Sequence, residues 1–220
     1  MYSAEETMLA ETSNKVFQND RNFIESINKA QKSWTAGPVP HFEGKSMDEI
    51  FKLTGSNSKV NKYKRQRIQS FMNKQKSMRK RMNSNQSNEL ATLPENFDLR
   101  NISGVSYVTP VRDQKSCGSC WLFGTVEQMA DRVKLQSKGV LDLVLSPEQL
   151  GACSRATPQY GQQCDGGFPY LAAKWANEFG GVTHEECYQY TARDTRCTPT
   201  QCSKPNVQVT DYKYVGGYYG

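Results

Sequence analysis

Gln114-Lys-Ser-Cys117-Gly-Ser-Cys120-Trp121 stands directly before a helical pattern, and the rest of the chain arranges itself around it. Downstream, Phe123, Val126, Met129, Ala130 and Val133 recur at spacings of three and four. That period puts them on one face of an amphipathic helix. Cys120 is then expected in, or just before, the first helical turn. There the unpaired backbone N–H groups and the positive end of the macrodipole favour an anion, and the thiolate is the nucleophilic form of cysteine. Gln114 lies six residues earlier, in a loop, with an amide that can donate hydrogen bonds. A donor aimed beside a nucleophilic sulfur is what an oxyanion hole needs.

A Cys-x-x-Cys pair also suits a buried pair, half of a disulfide, a zinc half-site or a redox couple. Zinc would need a second close pair of Cys or His. Cys153 and Cys164 are separated by ten residues and Cys197 and Cys202 by four, so neither is a close match. A thioredoxin-like motif carries its Trp before the first cysteine, whereas Trp121 follows the second. Cys117-Gly-Ser-Cys120-Trp121 fits the C-G-[SA]-C-[WY] signature of a nucleophilic cysteine at every position.

A chain of 220 residues holds one large or two small domains. With 36% hydrophobic residues it has enough apolar surface for a packed core. No apolar run approaches a bilayer's thickness, so no membrane partner is expected. Met1 to Glu11 is polar and acidic and does not read as a signal peptide. Seven cysteines, however, indicate an oxidising compartment. The two observations agree if the parent protein begins further upstream. Six paired cysteines and one reactive thiol is the natural arithmetic.

Charge is uneven. Residues 1–93 hold 16 Lys and Arg against 9 Asp and Glu, a balance of +7, while residues 94–220 hold 12 against 13, a balance of −1. Lys59 to Arg81 contains ten basic residues and no acid. A nucleic-acid patch has this composition. Tyr63 and Phe71 are its only aromatics, which is thin for a stacking platform. A solvated, processable linker is the favoured reading, with no nucleic-acid partner.

Residues 13–56 read as helical and compact. Phe23, Ile27, Ala30 and Trp34 form an apolar stripe in one helix that Gly37, Pro38 and Pro40 end. Ser46-Met-Asp-Glu49 is a capping box followed by Ile50, Phe51 and Leu53. Met82 to Leu90 reads as a cleavable loop. Asn85-Gln-Ser87 and Asn101-Ile-Ser103 are glycosylation sequons of little weight. Composition shifts at Leu93-Pro94, and Val105, Tyr107, Val108 and Val111 suggest an extended segment entering the cysteine loop. The nucleophile helix is expected to end by Gly139. Ser146-Pro-Glu-Gln149 reads as a second capping box with Pro at the first helical position. The glycines of Cys164-Asp-Gly166-Gly167 permit close backbone approach to a ligand. Leu171, Trp175 and Phe179 then share a helix face, with Gly180 as the stop.

Three motifs carry a resemblance. Gln114 to Phe123, Cys164-Asp-Gly-Gly-Phe-Pro-Tyr170 and the aromatic run from Tyr212 to Gly220 resemble segments of papain-family cysteine proteases, and within them the branch that removes dipeptides. Phe23 to Ala36 resembles that branch's pro-segment. The resemblance implies that Cys120 is the nucleophile and Gln114 the oxyanion donor. It implies that Trp121 packs beside the site, that Gly166 and Gly167 hydrogen-bond an extended substrate backbone, and that Phe168 and Pro169 line the S2 pocket. It implies a chloride ion near Phe168, Tyr170 and Tyr214, with no metal or organic cofactor. It implies the disulfides Cys117–Cys164, Cys153–Cys197 and Cys187–Cys202, leaving Cys120 free. Two departures are Leu99, where the family's Leu-Pro-x-x-x-Asp-Trp-Arg motif has Trp, and Gly124, where Ser or Ala is usual.

The family's His and Asn lie about 130–150 residues beyond the nucleophile, outside this stretch. The histidines here are His41 in the pro-segment and His184 in a loop before Cys187. The expected fold is α+β and papain-like. Residues 1–58 form a helical pro-segment, 59–93 a basic activation linker, and 94–220 the helix-rich first half of the peptidase domain, with most of the β-barrel half absent. The expected parent is a lysosomal, vacuolar or secreted cysteine-type peptidase that releases dipeptides from peptide N-termini. Its partners would be peptide and protein substrates, the half that carries the His and Asn, an exclusion domain and further copies of itself. This stretch alone is expected to be inactive. The rival readings are an endopeptidase of the same family and a non-catalytic, disulfide-held binding or structural fragment.

Overall fold

Two serines start two helices by the same chemistry. Ser46 caps α2 (Met47–Leu53) by accepting from the Glu49 N–H, and the Glu49 carboxylate reaches back to the Ser46 N–H at 2.8 Å, so the capping box is complete. Ser146 caps α4 (Pro147–Arg155) by accepting from the Gln149 N–H at 3.0 Å, with Pro147 at the first helical position. Here the box is half built. The Gln149 amide oxygen accepts instead from the Thr183 N–H at 2.9 Å, tying α4 to a distant segment. The computed structural model describes residues 15–54, 94–157, 160–199, 202–204 and 206–213. The other helices are α1 (Arg21–Ala30), α3 (Cys120–Gln136) and α5 (Pro169–Glu178). Among the described residues β-structure is limited to isolated bridges, including Leu145 with His184, Gly161 with Gly167 and Val182 with Val207. No helix among them is long and apolar enough to cross a membrane.

The core forms where α3 meets α4 and α5. Trp121, Leu122, Val126, Met129 and Ala130 of α3 pack with Leu150 and Cys153 of α4 and with Ala172, Trp175 and Ala176 of α5. Phe123, Val126, Met129 and Ala130, all on the expected stripe, are buried, while Val133 is half-buried. Gly151 allows α4 to approach closely, because a Cβ there would lie 2.7 Å from Leu122 Cδ1. Helix α3 gives way at Ser137, and Gly139 follows with φ +85°. Helix α5 ends at Glu178, with Phe179 capping and Gly180 at φ +88°.

The amino-terminal segment departs from expectation. Its first helix ends at Ala30, so Trp34 lies outside it. Local side-chain bonds compete with the helix there. Gln31 Oε1 accepts from the Ser33 and Trp34 N–H groups, and Asn28 Oδ1 accepts from the Ala36 N–H at 2.7 Å. The stripe is not a core face either, since Phe23 is 62% and Trp34 58% exposed. Backbone and amide bonds give the segment its shape. The Phe17 N–H donates to the Lys45 carbonyl at 2.8 Å, the Met47 N–H to Lys15 at 2.9 Å, and the Val39 N–H to Asn19 Oδ1 at 2.7 Å. Ile50 is its buried apolar residue. The expected extended segment at 105–111 forms no strand: Val105 pairs only with Ile102, and Val111 is 99% exposed. The basic stretch 59–81 and the linker 59–93 lie outside the described residues.

Candidate active site

Cys120 is the first residue of α3, with Ser119 as N-cap, and its thiol is exposed and unpaired. Ser119 makes no side-chain cap bond, so its hydroxyl does not take the first-turn donors near the sulfur. The remaining six cysteines close three disulfides, Cys117–Cys164, Cys153–Cys197 and Cys187–Cys202. With Cys117 committed to Cys164, the zinc half-site and the Cys117–Cys120 redox couple are both excluded.

The first disulfide joins the cysteine loop to the glycine turn. Backbone bonding repeats the link, because the Gly118 N–H donates to the Cys164 carbonyl at 3.1 Å. Trp121 is 4% exposed and its indole Nε1 donates to the Gln163 carbonyl at 3.1 Å. The ring lies against Gly161 and Gly167, where an added Cβ would come within 2.1 Å and 2.6 Å of ring atoms. Only glycine leaves room for an indole in that slot. Gly166 has φ +99°, its carbonyl accepts from the Gln162 N–H at 3.0 Å, and its own N–H donates to Gln163 at 3.4 Å. Both backbone groups of Gly166 are thus engaged inside the turn, which leaves Gly167 as the turn's candidate for pairing with a substrate backbone. Phe168, half-buried, is the N-cap of α5 and Pro169 its exposed first residue. Tyr170 follows, its ring 5.2 Å from that of Tyr212. Tyr214 lies outside the described residues.

Gln114 is held on both sides. Its Nε2 donates to the Cys117 carbonyl and to the Leu53 carbonyl, each at 2.8 Å. Its backbone carbonyl accepts from the Tyr190 hydroxyl at 2.8 Å, and that hydroxyl also pairs with Ser119 Oγ. Burial pushes the Tyr190 phenol above its ordinary range, the Ser119 hydrogen bond opposing, so it stays a neutral donor. Tyr190 stacks edge-on to Phe123 at 4.9 Å, and the Arg112 guanidinium lies over the other partner of that pair, 5.0 Å from the Phe123 ring. The sequence marked Leu53 only as an apolar helix residue and did not single out Tyr190. They lie 61 and 76 residues from Gln114, and neither separation leaves a periodic signal.

Neither histidine is gathered into this cluster by a recorded bond. His41 Nε2 pairs with Lys45 Nζ at 3.2 Å. His184 caps the short 3-10 turn Glu185–Cys187, and its backbone bridges Leu145.

Six cysteines are thus locked into disulfides and the seventh stands free at a helix mouth. Residues 93–218 match the family model described as papain family cysteine protease, and the chain belongs to that family. It is 31% identical over 205 residues to cathepsin C of Schistosoma mansoni, covering 90% of this chain and 41% of that protein. It is 40% identical over 110 residues to cathepsin Z of Onchocerca volvulus, covering 48% of this chain and 34% of that protein. Among solved structures, a Carica candamarcensis cysteine protease in complex with E-64 shares 32% identity over 46% of this chain and 45% of that chain, with a TM-score of 0.41. The chain thus spans less than half the length of these curated relatives.

Proposed function

We propose that the chain supplies the thiol-bearing wall of a peptidase that removes dipeptides from the N-termini of peptides, with Cys120 as nucleophile. The observation that carries this reading is the lone free thiol at the first residue of α3, on a loop disulfide-bonded to the Gly166-Gly167 turn. An extended peptide would pair with Gly167, its second side chain would meet Phe168 and Pro169, and its carbonyl carbon would face the sulfur. Attack by the thiolate forms a tetrahedral oxyanion, which collapses to an acyl-enzyme as the amine leaves. The Gln114 Nε2 would stabilise that oxygen. A histidine base from the rest of the parent protein would take the thiol proton and return it to the leaving amine. The dipeptidyl preference is supported by the cathepsin C likeness, which runs through 90% of this chain and so includes the amino-terminal segment.

The chloride ion belongs to the same proposal. Phe168 opens a ten-residue helix, where backbone N–H groups favour an anion, and Tyr170 stands in its first turn. Phe168, Tyr170 and Tyr214 would hold the ion, whose part would be to help order the S2 side of the cleft. The disulfides and the cathepsin relatives support a lysosomal, vacuolar or secreted setting.

An endopeptidase of the same family is the second reading. Its support is that the peptidase half is also 40% identical to cathepsin Z over about half of the chain, a likeness not restricted to cathepsin C. Hydrolysis of N-terminally free and N-terminally blocked peptides by the parent protein separates them. The dipeptidyl reading expects turnover of the free peptides alone, abolished by Cys120→Ala. Equal turnover of blocked peptides would select the endopeptidase.

A further inference from the structure

Behind Trp121 sits a buried carboxylate that the thiol chemistry does not use. Glu148 of α4 is 1% exposed. Its recorded partners are neutral: Gln163 Nε2 at 2.9 Å and Thr195 Oγ1 at 2.6 Å donate to Oε1, and the Thr191 N–H donates to Oε2 at 3.0 Å. A buried carboxylate is tolerated only when hydrogen-bonded in this way, and bonds to a charged acceptor are stronger than neutral ones. Gln163, 2% exposed, has φ +53°, a left-handed backbone that a residue with a Cβ holds only when its surroundings impose it. Those surroundings are Glu148 on the Gln163 amide nitrogen, closer than the Arg193 carbonyl and Thr195 Oγ1, each at 3.2 Å, and the Thr195 N–H on its amide oxygen at 2.9 Å. The Gln163 backbone carbonyl is the acceptor for the Trp121 indole. Trp121 in turn follows Cys120 and fills the slot against Gly167.

We propose that Glu148 is a positioning residue for the thiol site. By fixing the Gln163 amide it holds the left-handed turn, and the carbonyl presented by that turn seats Trp121 and sets Cys120 against Gly167. This rests on the reading of Cys120 as a nucleophile directed at peptides.

Two readouts on the whole chain test it. One is the Trp121 indole N–H resonance in 15N-labelled protein, assigned with Trp121→Phe. The other is the ratio of Cys120 reaction rates with a dipeptidyl 2-pyridyl disulfide and a non-peptide 2-pyridyl disulfide. In Glu148→Gln the resonance should shift, and the ratio should fall about tenfold, as small misplacements of reacting groups do. The double variant Glu148→Gln, Gln163→Glu exchanges amide and carboxylate across the same contact. It should restore both readouts to within about twofold, as coupled neighbours do. An unmoved resonance and ratio in the single variant would overturn the proposal, as would a double variant no better than the single. If Glu148→Gln does not fold, Thr195→Val, which deletes the hydroxyl that joins Glu148 to the Gln163 amide and keeps the Thr195 N–H, takes its place. An unchanged ratio and resonance there also overturns it. A wild-type chain with no preference for the dipeptidyl reagent, both intact and after cleavage within Lys59–Arg81, would instead sink the functional reading, and the indole resonance would then decide the clamp alone.

Discussion

The Gln114 side-chain nitrogen donates to the Leu53 carbonyl at 2.8 Å, so the amide assigned to a substrate's developing oxyanion is already occupied by the end of helix α2. Its second hydrogen is spent on the Cys117 carbonyl. On the proposed function, a peptide carbonyl entering the site would have to displace Leu53. Cleavage in the basic stretch Lys59–Arg81 and removal of the amino-terminal fragment should raise the rate at which Cys120 reacts with a peptide-bearing reagent. The iodoacetamide rate should change little, because that reagent needs no oxyanion donor. In the parent protein, Gln114→Ala should lower turnover by about 10²–10³, the scale of one lost oxyanion donor. An equal rise for both reagents after cleavage would mean that Leu53 merely shields the sulfur.

The thiol arithmetic has its own test. Iodoacetamide applied to the unreduced chain should label one site, Cys120, since the other six cysteines are in disulfides. Peptide mapping that finds label on Cys117 would break the Cys117–Cys164 pair and return the redox couple to consideration.

What could be read in advance was local. The α3 stripe, the Ser46 capping box, Cys120 at the helix mouth and the glycine stop of α5 all follow from spacings of a few residues, where helix period and cap chemistry act directly. The Trp34 stripe failed because amphipathic spacing shows only that a helix could bury a face. Gln31 and Asn28 ended α1 before Trp34 by bonding the backbone themselves. Gln149 satisfied the capping-box pattern, yet its amide went to Thr183. Leu53, Tyr190 and Gln163 reach the site from segments brought together only by the fold, and no pattern in the chain marks such pairings.

Two glycines separate space from conformation. At Gly167 an added Cβ would lie 2.6 Å from the Trp121 indole, a rigid group wedged in the core. Gly167→Ala should cost ~1–3 kcal/mol through overpacking. At Gly124, exposed in the second turn of α3, an added Cβ meets nothing within 4 Å. Gly124→Ala should stabilise by ~0.5–1 kcal/mol through helix propensity. Denaturant midpoints of the two variants should move in opposite directions; a loss of stability at Gly124 would show that the helix start is strained there.

Glu127 gives the chain a pH dependence of predictable sign. It sits on α3 beside a cavity of about 150 Å³ lined mainly by apolar groups of Pro110, Val126, Ala130, Leu143 and Val144. Its Oε1 is buried without a hydrogen-bond partner. Desolvation raises its pKa above the ordinary carboxylate value, the Arg112 charge opposes this, and the nearby Asp131 adds to it. The folded chain therefore holds this proton more tightly than the unfolded chain. Stability from this group is complete at acid pH and is lost as pH rises from the ordinary Glu range through the raised value. Glu127→Gln removes the titration while keeping the shape. The variant should be more stable than wild type at pH 7.5 by less than about 1 kcal/mol, since partial exposure screens the charge. Near pH 4.5 the two should nearly coincide. Thermal melts across that range provide the check. A Gln variant that is destabilised at pH 7.5 would mean that the Arg112 attraction outweighs desolvation and that the charged carboxylate is the favoured form.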